Sequence, residues 1–351
     1  MILSSRKEQY GNLEWNINRL GALLRFIYEY LAFENYGLAI IIFTILTKLL
    51  LLPLTMKQMK STSKMQELQP ELQKLQKMYA NNKEKLNEEM MKLYQKHNYN
   101  PASGCLPLLI QFPILIALYR VLIKPLTYMY KIPEYIAAGI PGKEAVTKAT
   151  ETIGKLANFA NISTTDYSNE IGIIEFFSKN PGDLSKVSDL LSPNEVLNMN
   201  FLGLNLGKKP VLNTSMLFGP EMGTYLPLLI IPIVATVLTF YSQRIQLGAT
   251  QKKADTAGSK DGADNMQNSL KWMGPIMTLY FSFILPAGMG LYWISTYVLQ
   301  IVQQLFVNYK MEQKQAEAKG KVIEKKMSQK KENIIEGKGI EIEQKEEDQK
   351  K

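Results

Sequence analysis

The sequence predicts an all-α polytopic membrane protein, a five-transmembrane-helix core with a cytoplasmic helical hairpin. Three observations predict it. Apolar residues gather in blocks at 38–54, 106–126, 225–241, 272–285 and 287–307. Most approach the ~20 residues that a crossing needs. A seam of apolar residues at spacings of three and four runs through the polar stretch after the first block. Lysine is distributed unevenly between the connecting segments. Mean hydropathy is only −0.12 and the net charge +9, because the polar residues are segregated between the blocks.

Residues 1–36 form an extracytoplasmic segment. Within it, Leu20–Phe33 is apolar but contains Arg25 and Glu29, so an interfacial amphipathic helix fits better than a crossing. No short basic start leads into an apolar stretch with a cleavage site, so no signal peptide is expected. The first span is 37–55. Residues 56–102 follow as a hairpin, with Met65, Leu68, Leu72, Leu75 and Tyr79 on one arm and Leu86, Met90 and Leu93 on the other. Asn81-Asn82 makes the turn, and Pro70 either kinks the first arm or marks its start. Most of the methionines here (Met56, Met59, Met65, Met78, Met90, Met91) are expected to fill the seam.

The second span is 103–127 and the third 225–242, separated by a mixed extracytoplasmic insert over 128–224 with some helix. A polar cytoplasmic loop covers 243–271, and its stretch 246–268 reads as flexible. Residues 272–308 hold the fourth and fifth spans as a tight pair broken by Pro286. The tail, 309–351, is first basic and then acidic; its last part, 332–351, should be disordered.

Charge sets the orientation. Residues 55–102 carry nine Lys against five Glu, and 310–351 carry twelve Lys. The 128–224 insert instead has eight Lys against ten acids. Lys and Arg accumulate on the cytoplasmic side. The N-terminus is then outside and the C-terminus inside a bacterial plasma membrane.

The first block holds Lys48 in its interior, about six residues short of its end at Leu54. A cation near the bilayer centre costs roughly 3 kcal/mol on insertion scales, so such a residue marks a polar cavity, a partner charge or water. Other polar residues at membrane depth are Thr44, Thr47, Gln111, Arg120, Thr236, Thr239, Gln243, Ser295, Thr296 and Gln300. A hydroxyl commonly bonds back to its own helix, and a glutamine can join two helices. Arg120 and Gln243 lie near span ends and can snorkel.

Much chemistry is absent. One histidine, His97, and one cysteine, Cys105, leave no His-based metal site, triad or internal disulfide, and both are expected to be structural. No phosphate-binding glycine loop or serine nucleophile elbow occurs. No Asp or Glu falls within a span. Neither catalytic residues nor cofactors are expected.

Long stretches resemble the YidC/Oxa/Alb membrane protein insertases. They are 40–54, Ile-Ile-Ile-Phe-Thr-Ile-Leu-Thr-Lys-Leu-Leu-Leu-Leu-Pro-Leu, with Lys57-Gln-Met-Lys-Ser61 and Leu68-Gln-Pro70. The stretch from Asn100 to Pro113, with Ala117-Leu-Tyr119, is similar too. So are Phe201-Leu-Gly-Leu-Asn-Leu206 and Leu285-Pro-Ala-Gly-Met-Gly-Leu-Tyr-Trp293, with Gln303-Gln304. The resemblance implies a five-helix core with a hydrophilic groove, open to the cytoplasm and to lipid, that moves polar client segments without an enzymatic reaction. It implies that Lys48 takes a cation position where most members carry Arg. Gln111 takes the glutamine of span two, Gln243 and Trp293 take groove-facing positions, and Thr44 and Thr47, on the same span as Lys48, are expected in the same client-binding groove. Implied partners are nascent membrane proteins. The sequence leaves open a Sec translocon and the oligomeric state. The basic stretch 310–331, with eight Lys against three Glu, should attract anionic lipids or the ribosome. The competing function is a small-solute transporter or channel, which needs a path through both leaflets and would show inverted repeats; none is visible.

Overall fold

A computed structural model describes residues 17–100, 106–163, 169–247, 262–310 and 313. It is mostly helical. Two compact units are resolved, Met1–Ile301 and Val302–Lys351.

Helix α1 (17–26) runs into a π-helical turn, Ile27–Leu31, and the chain then bends by 117° into α2 (Tyr36–Leu50). Asn35 caps α2 by accepting from the Leu38 N–H at 3.0 Å. Its apolar residues Ile40 and Phe43 enter the core. Pro53 bears on the other end: it has no N–H to donate, and its ring excludes the carbonyl four residues back, that of Leu49. The chain breaks at Leu51, and α3 (Leu52–Met78) starts with Pro53 in its first turn.

Helices α3 and α4 (Lys83–Lys96) form a hairpin. Leu68 and Leu72 bury against Leu93 and Tyr94, with Met65, Leu75 and Met90 alongside. Lys64 Nζ reaches the Asn98 carbonyl at 3.5 Å, so the arms run in opposite directions. Pro70 lies inside α3, which excludes it as the start of that helix. Of the methionines, Met78 and Met91 are exposed rather than in the seam.

Helix α5 (Leu106–Ile123) ends where Lys124-Pro125 interrupts it. A second π-helical turn, Leu126–Lys131, follows and continues into α6 (Ile132–Ala137). The bend here is 100°, so the apolar block at 106–126 is not one straight rod. The 128–224 insert holds more regular structure than its mixed sequence suggests. Helices α7 (Gly142–Phe159) and α8 (Asn169–Lys179) share one apolar core. Ala149, Ile153 and Leu156 of α7 meet Ile171, Ile174 and Phe177 of α8 there. A two-residue hairpin pairs β1 (Asn200–Phe201) with β2 (Leu204–Asn205) in antiparallel register.

After α9 (Thr214–Leu217), α10 (Met222–Leu228) leads almost directly into α11 (Ile230–Leu247). Helix α12 (Gly262–Ile284) begins inside the stretch read as loop: 262–268 is helical, and 248–261 lies outside the described residues. Pro286 separates α12 from α13, which starts at 287 and reaches the end of the first unit at 301. In the second unit, 302–310 and 313 are helical, with Gln304 donating to Asn308 at 2.8 Å. The rest of the tail and Cys105 lie outside the described residues.

Among the described residues, Met222–Ile245 alone is long and apolar enough to cross a membrane, by length and composition. Two bent pairs, Ile17–Leu31 with Tyr36–Leu50 and Gln111–Ile123 with Leu126–Ala137, pass only together. The apolar helix Trp272–Ile284 is shorter. Prolines stand at the ends of four of the apolar blocks: Pro53 and Pro125 are the penultimate residues of the first two, and Pro286 separates the last two.

Candidate functional site

Helix α13 is the hub of the first unit. Gly288 lies against Ile40 of α2, and a Cβ there would sit 3.3 Å from the Ile40 Cδ1. Gly290 receives the Ile231 side chain of α11. Two glycines thus let three helices approach more closely than any larger residue would permit. One turn further on, Tyr292 is buried and accepts a hydrogen bond from the Gln111 amide of α5. Trp293, next in the chain, faces Phe281 of α12 with ring centroids 6.4 Å apart.

The six residues expected in the groove fall into separate settings. Gln111 and Trp293 occupy neighbouring positions about α13. Thr44 and Lys48 stand one turn apart on α2, hence on one face. Thr44 is fully buried and bonds back to Ile40 O at 2.7 Å. Thr47 does the same to Phe43 O and Thr44 O at 3.0 and 2.9 Å. Both hydroxyls are therefore satisfied within α2. Gln243 packs over Gly274 of α12, and its buried Oε1 has no partner among the described residues.

Lys48 is half-buried and pairs with no carboxylate among the described residues. Its position differs from the one expected. Because α2 stops at Leu50, Lys48 stands in the last turn of the helix rather than deep within a rod reaching Leu54. The negative end of the helix dipole favours a cation there, typically by 0.3–1 kcal/mol. The charge thus has local support without a counter-ion.

The sequence reading passed over two polar clusters. Thr239 of α11 donates to Ala235 O at 2.7 Å and to the Thr278 hydroxyl of α12 at 3.2 Å. Thr278 also lies 3.4 Å from the Tyr297 hydroxyl of α13. Three helices thereby share one chain of hydroxyls. Threonines and tyrosines scattered through apolar segments carry no spacing signal that would have linked them.

The other cluster lies in the insert. Glu170 is buried and accepts from the Thr127 N–H at 3.0 Å and the Thr127 hydroxyl at 2.5 Å. Burial pushes its carboxyl up to about 7, against those hydrogen bonds and Lys124, which pull it down. Nearby, Lys131 is buried with Glu195 at 2.9 Å and reaches Glu134 at 3.3 Å. Ile171-Gly-Ile-Ile174 is flanked by two acids, Glu170 and Glu175, and nothing local marks Glu170 as the buried one.

A model of the family described as 60Kd inner membrane protein matches residues 26–315. The chain is 30% identical over 273 residues to the membrane protein insertase YidC of Fusobacterium nucleatum, covering 78% of this chain and 86% of that protein. It is 29% identical over 278 residues to the membrane protein insertase MisCA of Bacillus subtilis, covering 78% and 70%. An 87-residue stretch is 61% identical to the membrane protein insertase YidC of Clostridium perfringens, covering 25% and 37%.

Proposed function

Since the chain belongs to the 60Kd inner membrane protein family, we propose that it is a membrane protein insertase and chaperone of the bacterial cell membrane, moving polar segments of nascent membrane proteins across through a polar groove. The observation that carries the mechanism is Lys48, a cation in an apolar helix with no carboxylate beside it among the described residues. A charge held there without a counter-ion can attract an acidic client segment and release it again. A permanent internal pair would occupy the site.

In this reading, five short or broken spans enclose the groove, with Lys48, Gln111, Gln243 and Trp293 towards it. Thr44 and Thr47 hold the turn beneath Lys48. Short spans thin the bilayer locally, which lowers the cost of moving polar groups. The α3–α4 hairpin is a cytoplasmic arm that meets clients or targeting factors. The basic tail lies against anionic lipid or the ribosome. Lys in place of the family's usual Arg supplies a point charge without a bidentate fork, so attraction would depend on charge more than on geometry.

The test is insertion of a single-span client with an acidic outer tail into liposomes, without an energy source. Lys48→Ala should lower the initial rate about tenfold, equivalent to about 1.4 kcal/mol. Lys48→Arg should retain it. Full insertion by Lys48→Ala across several such clients would remove the charge from the mechanism. Passage of ions by the wild-type protein would favour a transporter instead.

A further inference from the structure

The hairpin β1–β2 closes one end of the helical core, and its tip is chemically out of place. Its register pairs Phe201 with Leu204, leaving a two-residue loop of Leu202 and Gly203. Both have positive φ, +51° and +81°. Such a loop favours Asn-Gly, because a side-chain-bearing residue other than Asn or Asp is strained in the left-handed region. Here a leucine occupies the strained position with its side chain 86% exposed.

A second residue repeats the pattern. Phe33, in the turn between α1 and α2, has φ +50° and is 87% exposed. In water each site would combine a strained backbone with a wet apolar side chain. Backbone hydrogen bonds from Glu34 N–H to Tyr28 O and from Asn35 N–H to Ala32 O support the turn at Phe33, but neither side chain is covered by another among the described residues.

The two turns are tied to each other and to the ends of the helices. Asn35 Nδ2 donates to the Asn200 carbonyl at 3.3 Å, and the Tyr36 N–H donates to Asn198 O at 3.2 Å. The Phe201 ring lies against Gly37, in the first turn of α2. On the far side of the hairpin, the Ala287 and Gly288 N–H groups donate to Lys208 O and Leu206 O at 2.8 and 2.9 Å, which fixes it to the start of α13. The hairpin tip therefore stands level with the beginning of two apolar helices. Phe26, Tyr30 and Leu31 expose further apolar surface on the segment leading to Phe33. Exposed apolar residues thus run from α1 to the turn at Phe33, which Asn35 ties to the hairpin.

We infer that Leu202 and Phe33 insert into the lipid at the membrane surface where α2 and α13 begin. They anchor the hairpin and hold that end of the core against the bilayer. The bound partner is the lipid acyl boundary, where apolar and aromatic side chains gain most from leaving water. The inference rests on the chain being a membrane insertase with α11 facing lipid.

The test is depth measurement by spin labelling of the full chain in liposomes without client. A Cys105→Ser background carries, one at a time, Leu202→Cys, Phe33→Cys, Ile233→Cys on the exposed face of α11, and Lys143→Cys on the exposed face of α7. Collision with oxygen marks lipid, and collision with an aqueous nickel chelate marks water. Labels at 202 and 33 should resemble the label at 233, with an oxygen-to-nickel ratio several-fold above that at 143. A label at 202 as nickel-accessible as the one at 143 overturns the inference. So does a label shielded from both reagents, because protein would then cover the tip. If 233 is itself open to nickel, the membrane reading fails with it. If 233 is in lipid and 202 in water, the anchor alone fails.

Discussion

Lys131 of the insert and Lys48 of α2 are both withdrawn from water, and their surroundings differ. Lys131 is buried between Glu195 at 2.9 Å and Glu134 at 3.3 Å. Glu195 is in turn fixed by the Ser192 N–H at 2.8 Å, so that network is closed within the insert. Lys48 is half-buried in an apolar helix, with the end of α2 for support and no acid beside it among the described residues. A charge with partners on the spot serves the fold. A charge held without one is available to something that arrives.

The sharpest way to break this contrast is to remove one partner in each region. Lys131→Met leaves Glu195 buried with its counter-ion gone. Stripping one member of a buried pair costs about 3–5 kcal/mol. The expected result is a marked drop in the thermal unfolding temperature of the full-length protein in detergent, with early proteolysis within 128–224. Replacing Lys131 and Glu195 together by apolar residues should recover much of the loss. Lys48→Ala should leave the unfolding temperature unchanged or slightly raised. Equal destabilisation by Lys131→Met and Lys48→Ala would erase the distinction.

Glu170 sharpens the contrast through pH. It is a buried acid with hydrogen-bond donors from Thr127 but no ion pair among the described residues. Its carboxyl, raised from an ordinary 4.5 to about 7, stays protonated in the fold where the unfolded chain has already ionised. Unfolding then releases a proton. The stabilisation is fully present below about pH 4.5, declines as pH rises, and is lost by about pH 7. The whole change is on the order of 3 kcal/mol. Unfolding temperature measured from pH 4.5 to 7.5 should fall across that window, and Glu170→Gln should flatten the slope. A profile unaltered by Glu170→Gln would assign the pH response to another group.

Much of this was legible in the sequence, but unevenly. The hairpin seam could be read directly, because Leu68, Leu72 and Leu93 recur at a helical period with little else to decide their packing. The groove candidates stood out because a cation or an amide is conspicuous among apolar neighbours. The place of Lys48 in the last turn of α2 was not legible, since residues 49–54 continue the apolar run while α2 stops at Leu50 and α3 starts with Pro53 in its first turn. Composition records hydrophobicity and is blind to a break in the backbone. The Lys131–Glu195 pair joins residues 64 positions apart, and no local pattern announces such a contact. The loop read over 246–268 failed at its far end, where Gly and Asp residues mask the polar first turns of α12.

The smallest expected effect concerns Gln111 and Tyr292, which are joined by a hydrogen bond between α5 and α13. Bonds of this kind between membrane helices average only about 0.6 kcal/mol, because the separated helices find other partners. Gln111→Ala and Tyr292→Phe should therefore each lower the unfolding temperature slightly and to a similar degree. Their double variant should cost little more than either alone. Insertion assays then separate structure from function. Tyr292→Phe removes the bond but leaves the Gln111 amide free in the groove, so client insertion should be kept. Gln111→Ala removes the amide itself, so insertion should fall if that amide hydrogen-bonds the passing client. Equal activity in the two variants would make Gln111 a structural tie between helices, leaving Lys48 as the residue in this part of the core that acts on the client.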